Sequence, residues 1–156
     1  MPDAVQVTMP SDREIRTTRS FDAPAHLVWD AHTKKELVQR WLLGPDGWTM
    51  PICEIDFRVG GSYRYGWANP SDGRAFEMNG VFKEITPITR IVHSERFGAD
   101  EAQVTFELSE RGGESTLTMT MAYASKEKRD AAAATGMTDG MEMGYKRLDA
   151  MLTTAS

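Results

Sequence analysis

Between Trp48 and Phe97 apolar residues recur at every second position. Cys53, Ile55 and Phe57 alternate with Glu54, Asp56 and Arg58, and Tyr63, Tyr65 and Trp67 alternate with Ser62, Arg64 and Gly66. This is the period of strands with one face covered and the other wet. Gly60-Gly61 marks a turn between the two runs, and Asn69-Pro70-Ser71-Asp72-Gly73 marks the next. Residues 74–85 and 90–97 predict further strands, separated at Thr86-Pro87, where a proline cannot donate to a ladder. Residues 102–110 and 115–123 predict a last hairpin. Val104, Phe106 and Leu108 point one way on its first arm, and Leu117, Met119, Met121 and Tyr123 on its second. A separate strand is predicted over residues 13–21, whose many charges imply a solvated face.

Two short segments interrupt this alternation. Pro24 suits the first helical position with Asp22 or Ala23 as its cap, which predicts a helix over Ala25 to Ala31. Thr33 followed by Glu36 forms a capping-box pattern for a second helix carrying Leu37, Val38, Trp41 and Leu42, ended by Gly44-Pro45-Asp46-Gly47. At the far end Ser125 can cap a helix that weakens near Gly136. Met137, Met141, Tyr145, Leu148 and Leu152 then recur on one helical face. The first residues, 1–11, show no sustained period and read as a loose leader before a single domain over 12–156.

The middle of the chain has no helices to serve as crossovers, so a parallel sheet is excluded. The expected fold is α+β: a curved antiparallel sheet in the order β-α-α-β6-α, covered on one face by the short helices and a long C-terminal helix. Gly80, inside a strand, predicts a bend or bulge that helps the sheet curl. Asp56 and Arg58 share a face and are expected to meet Arg64 on the neighbouring strand, as a charge ladder or as an anion contact.

Several blocks, in this order, resemble the START/birch-pollen-allergen-like superfamily (SRPBCC), and within it the AHSA-like group named for the activator of heat-shock protein 90 ATPase. They are Phe21-Asp22-Ala23-Pro24 with Val28-Trp29, Trp41 with Gly44-Pro45, and Cys53 through Gly61. After these come Gly80 through Ile85, Pro87 with Arg90-Ile91-Val92, and Thr135-Gly136-Met137 through Arg147-Leu148-Asp149. The resemblance spans about residues 12 to 154. It implies the helix-grip fold and a superfamily of cavity binders. The eukaryotic activators carry an additional N-terminal domain for which this chain has no room, so a chaperone partner is disfavoured.

The composition is that of a globular chain: 156 residues, 40% hydrophobic and 26% charged, with net charge −5. With no basic run, nucleic acid is not an expected partner. A single cysteine, Cys53, excludes an internal disulfide and suits a reducing cytoplasm. Neither a signal peptide nor an apolar run long enough to span a bilayer is evident, so no membrane partner is expected. His26, His32 and His93 share no ligand spacing, which predicts no metal, and no dinucleotide or nucleophile motif calls for a cofactor.

The richest signal is apolar: ten methionines and four tryptophans. Trp41, Ile55, Tyr65, Trp67, Phe76, Met78, Phe106 and Met119 are candidate lining residues, opposed by Met137, Met141 and Tyr145 on the last helix. The same residues would fill a core; the superfamily resemblance favours a pocket for a small hydrophobic molecule. The strand carboxylates Glu54, Asp56, Glu77 and Glu84 are read as facing water. His93 and Glu95 share parity with Ile91 and Phe97, and one or the other is the candidate catalytic acid/base if the chain is instead a cyclase- or hydratase-type enzyme, the alternative to binding. The pattern leaves room for a homodimer.

Overall fold

The computed structural model describes residues 4–44, 46–98 and 100–155. The chain runs β1 (Gln6–Ser11), β2 (Glu14–Phe21), α1 (Ala25–Thr33), α2 (Lys35–Trp41), β3 (Thr49–Ile55), β4 (Ser62–Ala68), β5 (Ala75–Thr86), β6 (Arg90–Phe97), β7 (Asp100–Arg111), β8 (Glu114–Ala122), α3 (Lys126–Ala133) and α4 (Met137–Ala155). All eight strands form one antiparallel sheet in the order β1-β2-β8-β7-β6-β5-β4-β3. The helices cover its inner face, giving the helix-grip α+β fold that the alternation implies.

Residues 6–11, read as part of a loose leader, are instead the edge strand β1, paired with β2 from Gln6↔Thr18 to Ser11↔Glu14. The register shifts between Thr8 and Ser11, around Pro10, as an edge strand tolerates. Every residue of β1 is exposed, so it carries no burial pattern that alternation could reveal. Residues 1–3 of that leader, and Pro45 of the helix stop, lie outside the described residues.

The helix starts also differ from their local signals. Thr33 does not cap α2; it is the last residue of α1, where its hydroxyl donates to the Trp29 carbonyl at 2.9 Å. The cap of α2 is Lys34, with no side-chain bond. At α1 the cap position is Pro24, and the Ala25 N–H donates to the Glu110 carboxylate of β7 at 2.6 Å. A carboxylate there satisfies one of the orphan donors and suits the positive end of the helix. Ser125 caps α3 as its sequence implies, accepting from the Lys128 N–H at 3.2 Å. Gly136, with φ of +77°, separates α3 from α4.

The main core lies between the inner face of the sheet and α1, α2 and α4. Phe21, Val28 and Leu148 are fully buried there, with Leu117, Tyr145 and Leu152 close behind. A second cluster at the β3–β4 end holds Val38, Met50, Cys53 and Trp67. A third holds Ile15, Val104 and Met121, with Tyr123 and Met137 against them.

Gly80 shapes the sheet by close approach. A Cβ there would stand 1.9 Å from the Ser94 carbonyl oxygen of β6 and 2.7 Å from the Tyr63 ring. The bare backbone lets that carbonyl accept from the Tyr63 hydroxyl at 2.8 Å, while the Ser94 hydroxyl accepts from the Val81 N–H. The register shift itself follows, between Phe82 and Glu84. Because the clash is with backbone, Gly80→Ala is expected to destabilise the fold by about 1–3 kcal/mol. Urea denaturation would read this, and a loss below about 0.5 kcal/mol, the scatter of neutral surface changes, would show the strand can open there without cost.

The expected meeting of Asp56 with Arg64 does not form. β3 ends at Ile55, so Asp56 and Arg58 lie in the following turn and pair with each other at 2.9 Å. Arg64 instead reaches Glu77 at 2.7 Å and Glu54 at 3.9 Å, all of them exposed, so these pairs contribute little.

Candidate functional site

The register puts the candidate residues on the inner face. His93 pairs with Val104 and Glu95 with Ala102, both buried on β7, so both β6 side chains share the face that α4 covers. Tyr65 pairs with Met78 and Cys53, and Phe106 with Met119 and Ile91. The lining set divides by burial. Trp41, Phe106 and Tyr145 are closed core: Trp41 stacks on Tyr145 and donates its indole N–H to the Ala31 carbonyl at 2.9 Å. Trp67 is also buried, donating to the Leu42 carbonyl, with Phe76 stacked on it at 4.9 Å. Ile55, Tyr65, Phe76, Met78, Met119, Met137 and Met141 are only half-buried.

The half-buried positions interrupt runs of closed ones. On β8, Met119 keeps accessible surface between Leu117 and Met121, which are 1% and 2% exposed. On β4, Tyr65 does so between Tyr63 and Trp67. His93 and Glu95 do so beyond Ile91 on β6. Two depressions, of about 250 and 240 Å³, lie elsewhere: one at Glu54–Asp56 and Ser62–Arg64, the other between α1, α2 and the end of α4 at Leu27, Leu37 and Met151.

The polar groups on this face are few. The Ser94 carbonyl accepts from Tyr63 and stands 2.9 Å from His93 Nδ1, which is 3.1 Å from the Tyr63 hydroxyl. A proton on Nδ1 donates to that carbonyl and leaves Nε2 as an acceptor. Burial holds the His93 imidazole below its ordinary pKa, against the opposing pull of the Ser94 carbonyl. Glu95 is unlike its neighbours: among the described residues no hydrogen bond or ion pair holds its carboxyl, and burial alone pushes it up to about 7. Its charge is felt by two phenols. Tyr63 is raised by burial and then by Glu95, and Tyr123 is pushed up to about 12 by the same two causes. Among the described residues the Tyr123 hydroxyl reaches the thioethers of Met121 and Met137, each at 3.9 Å.

Two polar features of the interior escape a reading by periodicity. Arg19, one of the charges that give β2 the look of a solvated strand, points inward beside Thr17 and Phe21 and is 3% exposed. Its guanidinium is bidentate to Asp149, at 3.0 and 2.8 Å, and to Glu142, at 3.1 and 2.9 Å, and it lies against the rings of Phe21 and Tyr145. Glu142 also accepts from the Val5 N–H at 2.7 Å. The other feature is His32 on α1, whose Nδ1 lies 2.7 Å from the Val28 carbonyl. Nδ1 must therefore carry the proton, which leaves Nε2 a buried acceptor that no protein group meets. Rings of Trp41 and Phe106 surround it at 4.9 and 5.2 Å, and burial lowers its pKa to about 4. The spacing of the histidines gives no sign of this aromatic cage.

Cys53 is buried, its thiol pushed up to about 11 by burial, and it fills the second cluster rather than serving as a thiolate. Among the described residues no group of three His, Cys, Asp or Glu is placed to hold a metal ion, and no helix is long and apolar enough to cross a membrane.

Several solved structures are similar to this fold. A protein from Rhodobacter sphaeroides is 34% identical, over 97% of this chain and 99% of its own, with a TM-score of 0.90. A protein from Chromobacterium violaceum is 25% identical over 89% of this chain and 96% of its own, at 0.77. An AHSA1-like protein from Aeromonas hydrophila shares the fold at 17% identity, over 87% of this chain and 93% of its own, at 0.72. No functionally curated protein matches the chain significantly. The family described as "Activator of Hsp90 ATPase homolog 1-like protein" matches residues 22–153, so the chain belongs to that family.

Proposed function

We propose that the chain binds a small hydrophobic molecule between the inner face of the sheet and α4. The observation that carries this reading is the interruption of burial in mid-strand. A filled core would close Tyr65 and Met119 as completely as their neighbours two residues away on the same faces. Met119 and Met141 border the main core, Met78 the second cluster and Met137 the third, and their unbranched, polarisable side chains adapt to varied ligand shapes. The polar groups are few, as expected of a site that fixes the orientation of an apolar guest. The unpaired carboxyl of Glu95 favours acid/base catalysis as a second reading, since its raised pKa suits proton transfer near neutral pH.

Dry apolar gaps take up xenon. With methyl-labelled methionine, xenon pressure is expected to shift the signals of Met78, Met119 and Met141 and to leave Met50, closed in the second cluster, in place. Unmoved signals from all of them would mean a filled core and would end the binding proposal. Native mass spectrometry of the same preparation, followed by a denatured extract, would give the chemical class of any molecule that co-purifies.

A further inference from the structure

We propose that the ligand carries a cationic nitrogen, held by the Glu95 carboxylate between the phenols of Tyr63 and Tyr123; this rests on the binding reading above. The inner face is almost uncharged, and its charges are unequally partnered. Arg19 spends its guanidinium on Glu142, Asp149 and the Ser20 carbonyl. His32 and His93 are neutral rings, each with Nδ1 on a backbone carbonyl. Among the described residues Glu95 alone on this face has neither a cation nor a hydrogen-bond donor.

Among the described residues, nothing around Glu95 supplies one from within the fold. Its own strand offers His93, whose Nδ1 is already engaged. Across the ladder β7 presents Ala102. On the β5 side the chain is Gly80, held against Ser94 without a side chain. Beyond these two small neighbours stand the phenols: Tyr63 pairs with Gly80 across β4 and β5, and Tyr123 follows Ala122, whose partner Gln103 is next to Ala102; both feel the Glu95 charge. A carboxylate flanked by aromatic rings is a chemistry that recognises ammonium groups: the carboxylate gives the counter-charge, and the ring faces and phenol oxygens complete the shell. The Tyr63 hydroxyl gives its proton to Ser94, and its oxygen, 3.1 Å from His93 Nδ1, keeps a lone pair that can accept from the guest. An anionic guest would meet repulsion here. A neutral one would leave the buried charge unanswered, which is costly. The half-buried methionines and Tyr65 take the apolar body of the amine.

The test compares three probes with one ring system and different heads: 2-naphthylmethylamine, 2-naphthalenemethanol and 2-naphthoate, at pH 8, followed through the methionine methyl signals. The amine is expected to bind about tenfold more tightly than the alcohol, a difference of about 1.4 kcal/mol, and the carboxylate most weakly. Glu95→Gln is expected to remove the discrimination, bringing the three within about threefold of one another, a difference of about 0.7 kcal/mol. An alcohol that binds as well as the amine, or an amine preference that survives in Glu95→Gln, overturns the cation assignment while leaving the pocket standing. If none of the three moves the signals of Met78, Met119 or Met141, the pocket itself fails, and the cation assignment with it.

Discussion

Replacing Arg19 with Met is expected to cost about 3–5 kcal/mol of stability, the range for breaking a buried ion pair from one side. The Arg19 side chain is 2% exposed, and its guanidinium joins β2 to two points on α4, one near its start at Glu142 and one two turns later at Asp149. Its removal leaves Glu142, 13% exposed, with the Val5 N–H as its one hydrogen-bond donor among the described residues and the charge of Lys146 nearby, while Met keeps most of the packing of the arginine stem against Phe21 and Tyr145. The loss therefore reports the uncompensated carboxylates and not a cavity. In a chain of this size it corresponds to a fall in Tm on the order of 10 °C, measurable by calorimetry. Salt should change it little, since buried pairs are weakly screened.

The acid limb carries the same signature. Burial alone would raise the Glu142 carboxyl, but the bonds from Arg19 and Val5 and the charge of Arg19 together hold it below its ordinary value. A depressed carboxylate contributes stability that is present above its unfolded pKa and lost as pH falls through the folded one. The Met variant should lose that part of the acid dependence. The variant Arg19→Met with Glu142→Leu and Asp149→Ala should recover most of the lost stability, because it removes the charges that Arg19→Met strands. A single-variant loss under about 1 kcal/mol, typical of surface pairs, would mean that water reaches the clamp.

This clamp also marks where reading from sequence stops. Period two placed Tyr65, Met78, Met119, His93 and Glu95 on one face, and the register bears that out, because alternation is a local property of any strand with one covered side. Arg19 obeys the same parity, with Ile15, Thr17 and Phe21. As one of three arginines in β2 and its approach it reads as solvated, and its acids lie more than a hundred residues away, at 142 and 149. Glu110 at the start of α1 is the same kind of case, a cap supplied by a distant strand. β1 was illegible for the opposite reason: Val7 and Met9 are 43% and 48% exposed, so nothing buried imposes a period there. For the candidate site, parity says which side chains turn inward. Which of them close and which stay open depends on how α4 sits over the sheet. Met119 and Leu117 have the same parity and different burial for that reason.

Glu95→Gln is expected to make the protein more stable at pH 8 by about 3 kcal/mol and to leave it unchanged near pH 4. The sign follows from the direction of the shift. Burial raises the folded carboxyl to about 7 from an ordinary 4.5, so the folded state holds its proton more tightly than the unfolded chain. Stability from this group is complete below the unfolded value and is lost as pH rises toward the folded one. A glutamine keeps the shape and never ionises. His32 acts at the other end: burial lowers its folded pKa to about 4 from 6.5, so stability falls as pH drops from 6.5 through 4. The two groups oppose each other over the same window, so between them the wild-type profile should be nearly flat, whereas Glu95→Gln should leave the His32 limb alone, a stability that rises from pH 4 to about 6.5 and then levels off. Chemical denaturation from pH 4 to pH 8 reads both profiles. A carboxyl that costs the fold stability at working pH, where an amide would not, is a mark of residues kept for binding or chemistry. Coinciding profiles of variant and wild type would place Glu95 in contact with water throughout, and the ammonium site would lose its anchor.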